Sequence, residues 1–403
     1  MRRSLLALGA ANFFMADVQS GLGPFLGVFL EQRHWSPAEI GIVMTIGGIS
    51  GMAVTTPLGA LVDRTRAKRA IVVAAAIVIT LAAIAILMRP DFLVVASAQA
   101  MSGIAGAAVG PAIAAITLGL VLQQGFAHQL GRNEACNHAG NVVAAALAGL
   151  AGYVFGLGAV FVVLAVTAAL SVAAMLGIDP REIDHRAARG AGKKDDGAGV
   201  ARFAVLLRSK PLLVLGLTLT LFHLGNAAML PLLGQAVVAR GAGNASAFTG
   251  ATIVIAQATM VPMALLAARL AETRGYWIVF LLALVALPIR GVTASLVTDA
   301  WGLVPVQILD GVGAGVLGVA VPGLVARILA GTGHVNAGLG AVMTLQGVGA
   351  ALSPTVGGIV AEHFGYSAAF LVLAAIAAAA LVLWLAARPI MAEPCAVVQS
   401  QNA

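Results

Sequence analysis

Twelve stretches of this chain are each long and apolar enough to cross a bilayer, for which a helix needs about 20 mainly apolar residues. They fall at approximately 4–30, 38–62, 70–88, 92–122, 137–156, 159–178, 211–237, 248–270, 277–297, 302–328, 337–361 and 367–388. In hydrocarbon every backbone N–H and C=O must be satisfied within the protein, so the pattern reads as an all-α membrane protein with twelve transmembrane helices. Composition agrees: 60% of the 403 residues are hydrophobic, 48 more are glycine, and only 10% are charged. Too few polar side chains remain to clothe a water-soluble surface, which excludes soluble, disordered and nucleic-acid-binding classes. The first run follows Arg2 and Arg3 as a secretory leader would, yet it continues past Asp17 to Leu30 without a convincing cleavage site. It reads as a first span.

An even number of crossings returns the two termini to one side, and the charges choose which. Of the 23 lysines and arginines, Arg33, Arg89 and Arg240 fall on one face and Arg290 falls inside a span, while the rest gather on the opposite face. By the positive-inside rule that crowded face is cytoplasmic, and the net charge of +7 then needs no acidic partner. The expected location is the cell membrane, the inner membrane of a bacterium, with both termini in the cytoplasm. The polar, glycine-bearing stretch 179–210 reads as a cytoplasmic linker between six-helix halves 1–178 and 211–388, and 389–403 as a cytoplasmic tail.

The second half echoes the first at an offset of roughly 207 to 209 residues. Pro24 and Gly27 match Pro231 and Gly234; Gln99, Gly103 and Gly110 match Gln307, Gly311 and Gly318. Phe155-Gly-Leu-Gly-Ala-Val-Phe161 matches Phe364-Gly-Tyr-Ser-Ala-Ala-Phe370, and Leu61 and Asp63 match Leu270 and Glu272. After span 2 the chain reads Gly59-Ala-Leu61-Val-Asp63-Arg64-Thr-Arg66-Ala67-Lys68.

With six plus six spans, a basic middle loop and this motif, the chain resembles the major facilitator superfamily over essentially its whole length. That family's loop runs Gly-x-Leu-x-Asp-Arg-x-Gly-Arg-Lys; Gly59, Leu61, Asp63, Arg64 and Lys68 agree, while Arg66 and Ala67 depart from it. The resemblance implies two pseudo-symmetric halves and a cytoplasmic gate at Gly59, Asp63, Arg64 and Lys68. Asp63 can then sit at the positive end of span 11, near Asn336 to Gly338, with Arg64 bonding carbonyls. A cluster that only orients the protein is the alternative. Where the family often carries a proton-coupling arginine in span 4, this chain has Gln99, so that role does not carry over. The antiporter motif Gly-Pro-x-x-Gly-Gly is missing from span 5; its nearest likeness is Ser353-Pro354-Thr-Val-Gly357-Gly358 in span 11.

Titratable groups inside spans are costly, roughly 2.5–3.5 kcal/mol each on insertion scales, and ask for partners or water. Asp17 in span 1 and His223 in span 7 are candidates for holding a proton or touching substrate; the alternatives are packing for His223 and, for Asp17, a bond to backbone, Asn12 or Gln19. Arg290 in span 9 and Asp310 in span 10 are each expected about two turns from their shared loop, as a charge pair that either braces the bundle or couples it. Span 5 opens with Asn133, Asn137 and Asn141 four residues apart, beside Glu134 and His138, a stripe suited to a polar substrate or a neighbouring helix. Arg132 and Glu134 are near enough to the cytoplasmic end to serve the gate, and Gln346 matches Asn137 in the repeat. Gln19, Gln99, Asn226 and Gln307 complete the polar candidates.

Gly313-Ala-Gly315-Val-Leu-Gly318 has dinucleotide-site spacing but lies in an apolar helix, where close packing explains it. His128, Cys136 and His138 lack the spacing of a metal site, and no serine, histidine and carboxylate grouping suggests hydrolysis. No cofactor or metal is expected, and neither a receptor domain nor a catalytic set is evident. The reading is a secondary transporter of a small molecule, functional as a monomer, working by alternating access and leaning to proton-coupled efflux of an amphipathic compound; a facilitator or proton symporter for a polar metabolite is the alternative.

Overall fold

Long runs of alanine, leucine and valine carry no side chain that competes for the backbone, and helix is the conformation that pairs every peptide group locally. The computed structural model describes residues 1–20, 22–189, 209–241, 243–297, 301–330 and 335–397. Twelve helices in it are long and apolar enough to span a membrane. They are α1 (Arg2–Glu31), α2 (Pro37–Arg64), α3 (Lys68–Met88), α4 (Phe92–Leu122), α5 (Gln124–Phe155), α6 (Gly158–Leu176), α7 (Lys210–Ala239), α8 (Ala245–Arg274), α9 (Tyr276–Leu296), α10 (Leu303–Ile328), α11 (Val335–Phe364) and α12 (Tyr366–Ala386). A short α13 (Arg388–Cys395) follows, and no strand occurs among the described residues.

Two of these helices are broken, at positions the repeat makes equivalent. Helix α1 runs to Ser20 and resumes at Gly23, while α7 runs to Asn226 and resumes at Met229. Prolines cause both breaks. The ring of Pro24 would meet the carbonyl of Ser20, and that of Pro231 the carbonyl of Ala227, four residues back in each case. The repeated Phe-Gly segments have a backbone reason too: Gly156 and Gly365 adopt φ of 85° and 82° ahead of α6 and α12, in the region that a side chain disfavours.

The chain forms two compact units. Unit 1 comprises Met1–Trp35, Val43–Asp195 and Asn244–Ala251; unit 2 comprises Ser36–Ile42, Asp196–Gly243 and Thr252–Ala403. The same close approach organises each one. In unit 1 a side chain at Gly140 of α5 would strike the backbone of Phe13 in α1, and in unit 2 one at Gly349 of α11 would strike the backbone of Thr220 in α7. These glycines let the broken helix of each unit lie directly against its neighbour, which is how small residues drive helix association in lipid.

One expectation about the chain's edges is revised, and two gain detail. Helix α5 begins at Gln124, not near 137, because the polar stretch 124–136 lowers local hydropathy without ending the helix. Of the linker, residues 190–208 lie outside the described residues, but 179–189 is ordered on unit 1: Asp184 N donates to Gly119 O at 2.9 Å, Asp179 N donates to Ser4 Oγ at 3.1 Å, and the Met1 ammonium pairs with Glu182. In the segment expected to be the tail, α13 buries Met391 and Cys395. Burial pushes the Cys395 thiol up to about 12, with Arg327 opposing it to a smaller degree. The folded protein should therefore leave Cys395 unlabelled by maleimide at neutral pH and expose it in denaturing detergent. Prompt labelling of Cys395 in the folded protein, with the partly accessible Cys136 replaced by serine, would mean that α13 does not dock.

Candidate substrate and coupling site

In unit 1 the Asp17 carboxylate finds its partner on α6, where Thr167 Oγ1 donates to Oδ2 at 2.7 Å. The alternative of a bond to Asn12 or Gln19 is not formed: Asn12 Nδ2 donates to Leu8 O at 2.8 Å, and Gln19 accepts from Asn137 instead. A threonine hydroxyl in a helix ordinarily returns to its own backbone, and Thr167 also lies 3.1 Å from Val163 O and 2.9 Å from Leu164 O. Its single proton is shared among three acceptors, so it orients Asp17 without locking it.

Near the α1 break, the end of the first α1 segment meets α5 through a chain of amides. Asn137 Nδ2 donates to Gln19 Oε1 at 3.5 Å, Asn141 Nδ2 to Asn137 Oδ1 at 3.2 Å, and Ser20 Oγ lies 3.4 Å from Asn141 Oδ1. Asn133 leaves the expected stripe. It is buried, accepting from Gln129 Nε2 and donating to Thr117 Oγ1, both at 2.9 Å, and so ties α5 to α4. Asn137 and Asn141 thus form the accessible polar face beside the α1 break.

Unit 2 builds its counterpart from charge. Arg290 Nη1 on α9 lies 2.9 Å from Asp310 Oδ1 on α10 and donates to Asn226 Oδ1 at 2.5 Å, at the point where α7 breaks. The freed Ala228 N–H donates to Ser353 Oγ at 2.9 Å. Sequence reasoning missed this role for Ser353, although its Ser-Pro-x-x-Gly-Gly segment was conspicuous. Gln307, buried on α10, has neither amide atom hydrogen-bonded among the described residues. His223 is half-buried on α7, its ring edge-on to Phe222 with centroids 5.3 Å apart, and it makes no side-chain hydrogen bond among the described residues. Gln99, equivalent to Gln307, packs against Gly47 of α2, while Gln346 is half-buried on α11.

The loop after α2 is less uniform than its motif. Asp63 and Arg64 are exposed, and a side chain at Gly59 would meet nothing within 4 Å. Lys68, expected at the gate, is fully buried: its Nζ donates to Val62 O at 2.6 Å and Thr65 O at 2.8 Å. It caps the end of α2, where freed carbonyls favour a cation. The Asn336 side chain and residues 331–334, near the end of span 11 expected to receive Asp63, lie outside the described residues. Arg132 and Glu134 are exposed two turns inside α5.

A family model described as Major Facilitator Superfamily matches residues 8–297 and 217–396. The chain belongs to the major facilitator superfamily. Two relatives of this MFS protein, uncharacterized MFS-type transporters from Mycobacterium tuberculosis strains CDC 1551 / Oshkosh and ATCC 25618 / H37Rv, are each 44% identical over 389 residues, 95% of this chain and 92% of theirs. Among solved structures it is similar to the nucleoside transporter NupG, with a TM-score of 0.77 at 16% identity over 95% of this chain and 98% of that one. It is also similar to a bacterial homolog of the human lysosomal transporter Spinster, inward-facing and unoccupied, with a TM-score of 0.76 at 14% identity over 98% of each chain. At such identities the likeness establishes the fold. The MFS protein is a multi-pass membrane transporter of a small molecule.

Proposed function

We propose that this MFS transporter is a proton-coupled secondary transporter that works as a monomer by alternating access, in the cytoplasmic membrane with both termini inside. One observation carries the reading: each unit breaks its first helix at the repeat-equivalent position and gathers its membrane-embedded polar side chains there. Discontinuous helices with polar groups at the break are where secondary transporters hold substrates and coupling ions. Asp17 and the Arg290–Asp310 pair are the groups that see the proton.

Amides, a carboxylate and a guanidinium suit a polar solute, so these side chains favour cotransport of a polar metabolite with protons. Proton-driven efflux of an amphipathic compound is the second reading. An apolar groove in unit 1 of about 500 Å³ favours it, lined by Phe13, Val143, Leu147 and Val163 among others and reaching Thr167, the partner of Asp17. Proteoliposomes separate the two. Labelled compounds are first screened by counterflow, and a pH gradient is then imposed on each hit. Accumulation away from the acidic side is expected for cotransport and accumulation toward it for efflux, whereas indifference to the gradient would remove proton coupling.

A further inference from the structure

Arg290 is 1% exposed, yet among the described residues only one of its three guanidinium nitrogens is engaged. Nη1 serves both Asn226 and Asp310, while Nε and Nη2 have no hydrogen-bond partner. Those two nitrogens form one edge of the planar group, and their N–H bonds point the same way, in the fork that fits both oxygens of a carboxylate. One turn before Asp310 on the same face of α10, Gln307 is 0% exposed with both its amide nitrogen and its oxygen unpartnered. A buried donor without a partner destabilises a fold, and more so when charged. Two such side chains on neighbouring helices mark a place made to receive something polar.

We infer that the Nε–Nη2 edge of Arg290, with the Gln307 amide, binds a carboxylate group of the transported molecule, while Asn226 and Asp310 hold the guanidinium in place. The inference rests on the transport reading above and names its substrate class. Charge selects a carboxylate over a phosphate monoester. Asp310 already balances Arg290, so a monoanion leaves the corner with one excess negative charge and a phosphate with about two. A single proton cancels the first, so the acid is expected to bind together with one proton. Among the described residues few other groups bear on Asp310. Helix α9 supplies Arg290, and α7 supplies Asn226 and, one turn earlier, His223. Helix α8 meets α10 at Gly311 and Gly315 through Ala256, Thr259 and Met260, none titratable. Helix α11 has Glu362 and His363 in its last turn, bonded to Ala38 N and Ile359 O, α12 has Tyr366 in its first, and α13 meets α10 near Arg327, at its other end.

The test measures the melting temperature of the purified full-length protein with acetate, lactate and benzoate, with the primary amides of the same acids, and with phenyl phosphate, at mildly acidic and neutral pH. At least one acid should stabilise the protein, more so at acidic pH, and its amide should not. Gln307→Leu should weaken that acid about tenfold while the unliganded protein melts no lower than before, because two orphaned atoms are gone. A structural role for Gln307 would give the reverse. Equal effects of acid and amide, a larger effect of phenyl phosphate, unchanged binding by Gln307→Leu, or no effect of any acid would each overturn the inference. If it fails while a neutral solute still shows gradient-driven transport, only the carboxylate assignment falls; if no compound responds to the gradient, the coupling reading falls with it.

Discussion

Asp17→Asn is expected to reduce gradient-driven transport to background while counterflow of the same substrate continues. The substitution keeps the shape of the side chain, and Thr167 Oγ1, now 2.7 Å from Asp17 Oδ2, can donate to the asparagine oxygen instead. Even a lost bond would cost only about 1 kcal/mol, since Val163 O and Leu164 O remain as acceptors for the same hydroxyl. The fold should therefore survive, and the protein should melt within a few degrees of the unaltered chain. What disappears is the titration. An amide cannot take a proton on one side of the membrane and release it on the other, whereas exchange of substrate for substrate moves no net proton. Thr167→Val is the control, because it removes the bond but keeps the carboxylate, and it should retain gradient-driven transport. Full accumulation by Asp17→Asn under a pH gradient would take Asp17 out of the mechanism.

The bilayer imposes its constraint residue by residue, which is why the twelve spans and the duplicated halves could be read from hydropathy and short matches alone. What the sequence hid was the consequence of each match. Pro24 and Pro231 showed the repeat, but the break each one makes is visible only when the ring is set against the carbonyl four residues back. Asp17, half-buried on α1, stood out because a carboxylate in an apolar run is conspicuous. Its partner was not, for Thr167 looks like any threonine satisfying its own helix, 150 positions away. Lys68 misled in the opposite direction. In a basic loop a lysine reads as surface charge, yet a flexible stem let it turn back onto the carbonyls ending α2. Asn133 shared a stripe with Asn137 and Asn141, but four-residue spacing drifts around a helix, and Thr117 captured the first of them.

Arg290→Met and Asp310→Leu should each destabilise the protein strongly, with the double variant recovering much of the loss. Breaking a buried pair by removing one partner costs about 3–5 kcal/mol, because a charge is left in a place that cannot hydrate it. The two single changes should differ. Arg290 is 1% exposed, so Asp310→Leu strands a guanidinium whose remaining partner is the Asn226 oxygen. Asp310 is 16% exposed, so Arg290→Met leaves a charge that solvent can still reach and should cost less. In the double variant two apolar side chains replace the pair, and the penalty for a stranded charge vanishes from both sides. Melting temperatures of the four proteins, with and without Asn226→Ala, close the cycle. Transport by the double variant then decides what the pair is for. Stability and gradient-driven transport restored together mean a brace between α9 and α10, and they would remove Arg290 as a carboxylate site. Stability restored without transport means that the charges themselves are used. Single effects that merely add would show that Arg290 and Asp310 act independently, and Asp310 would then answer to another group in unit 2.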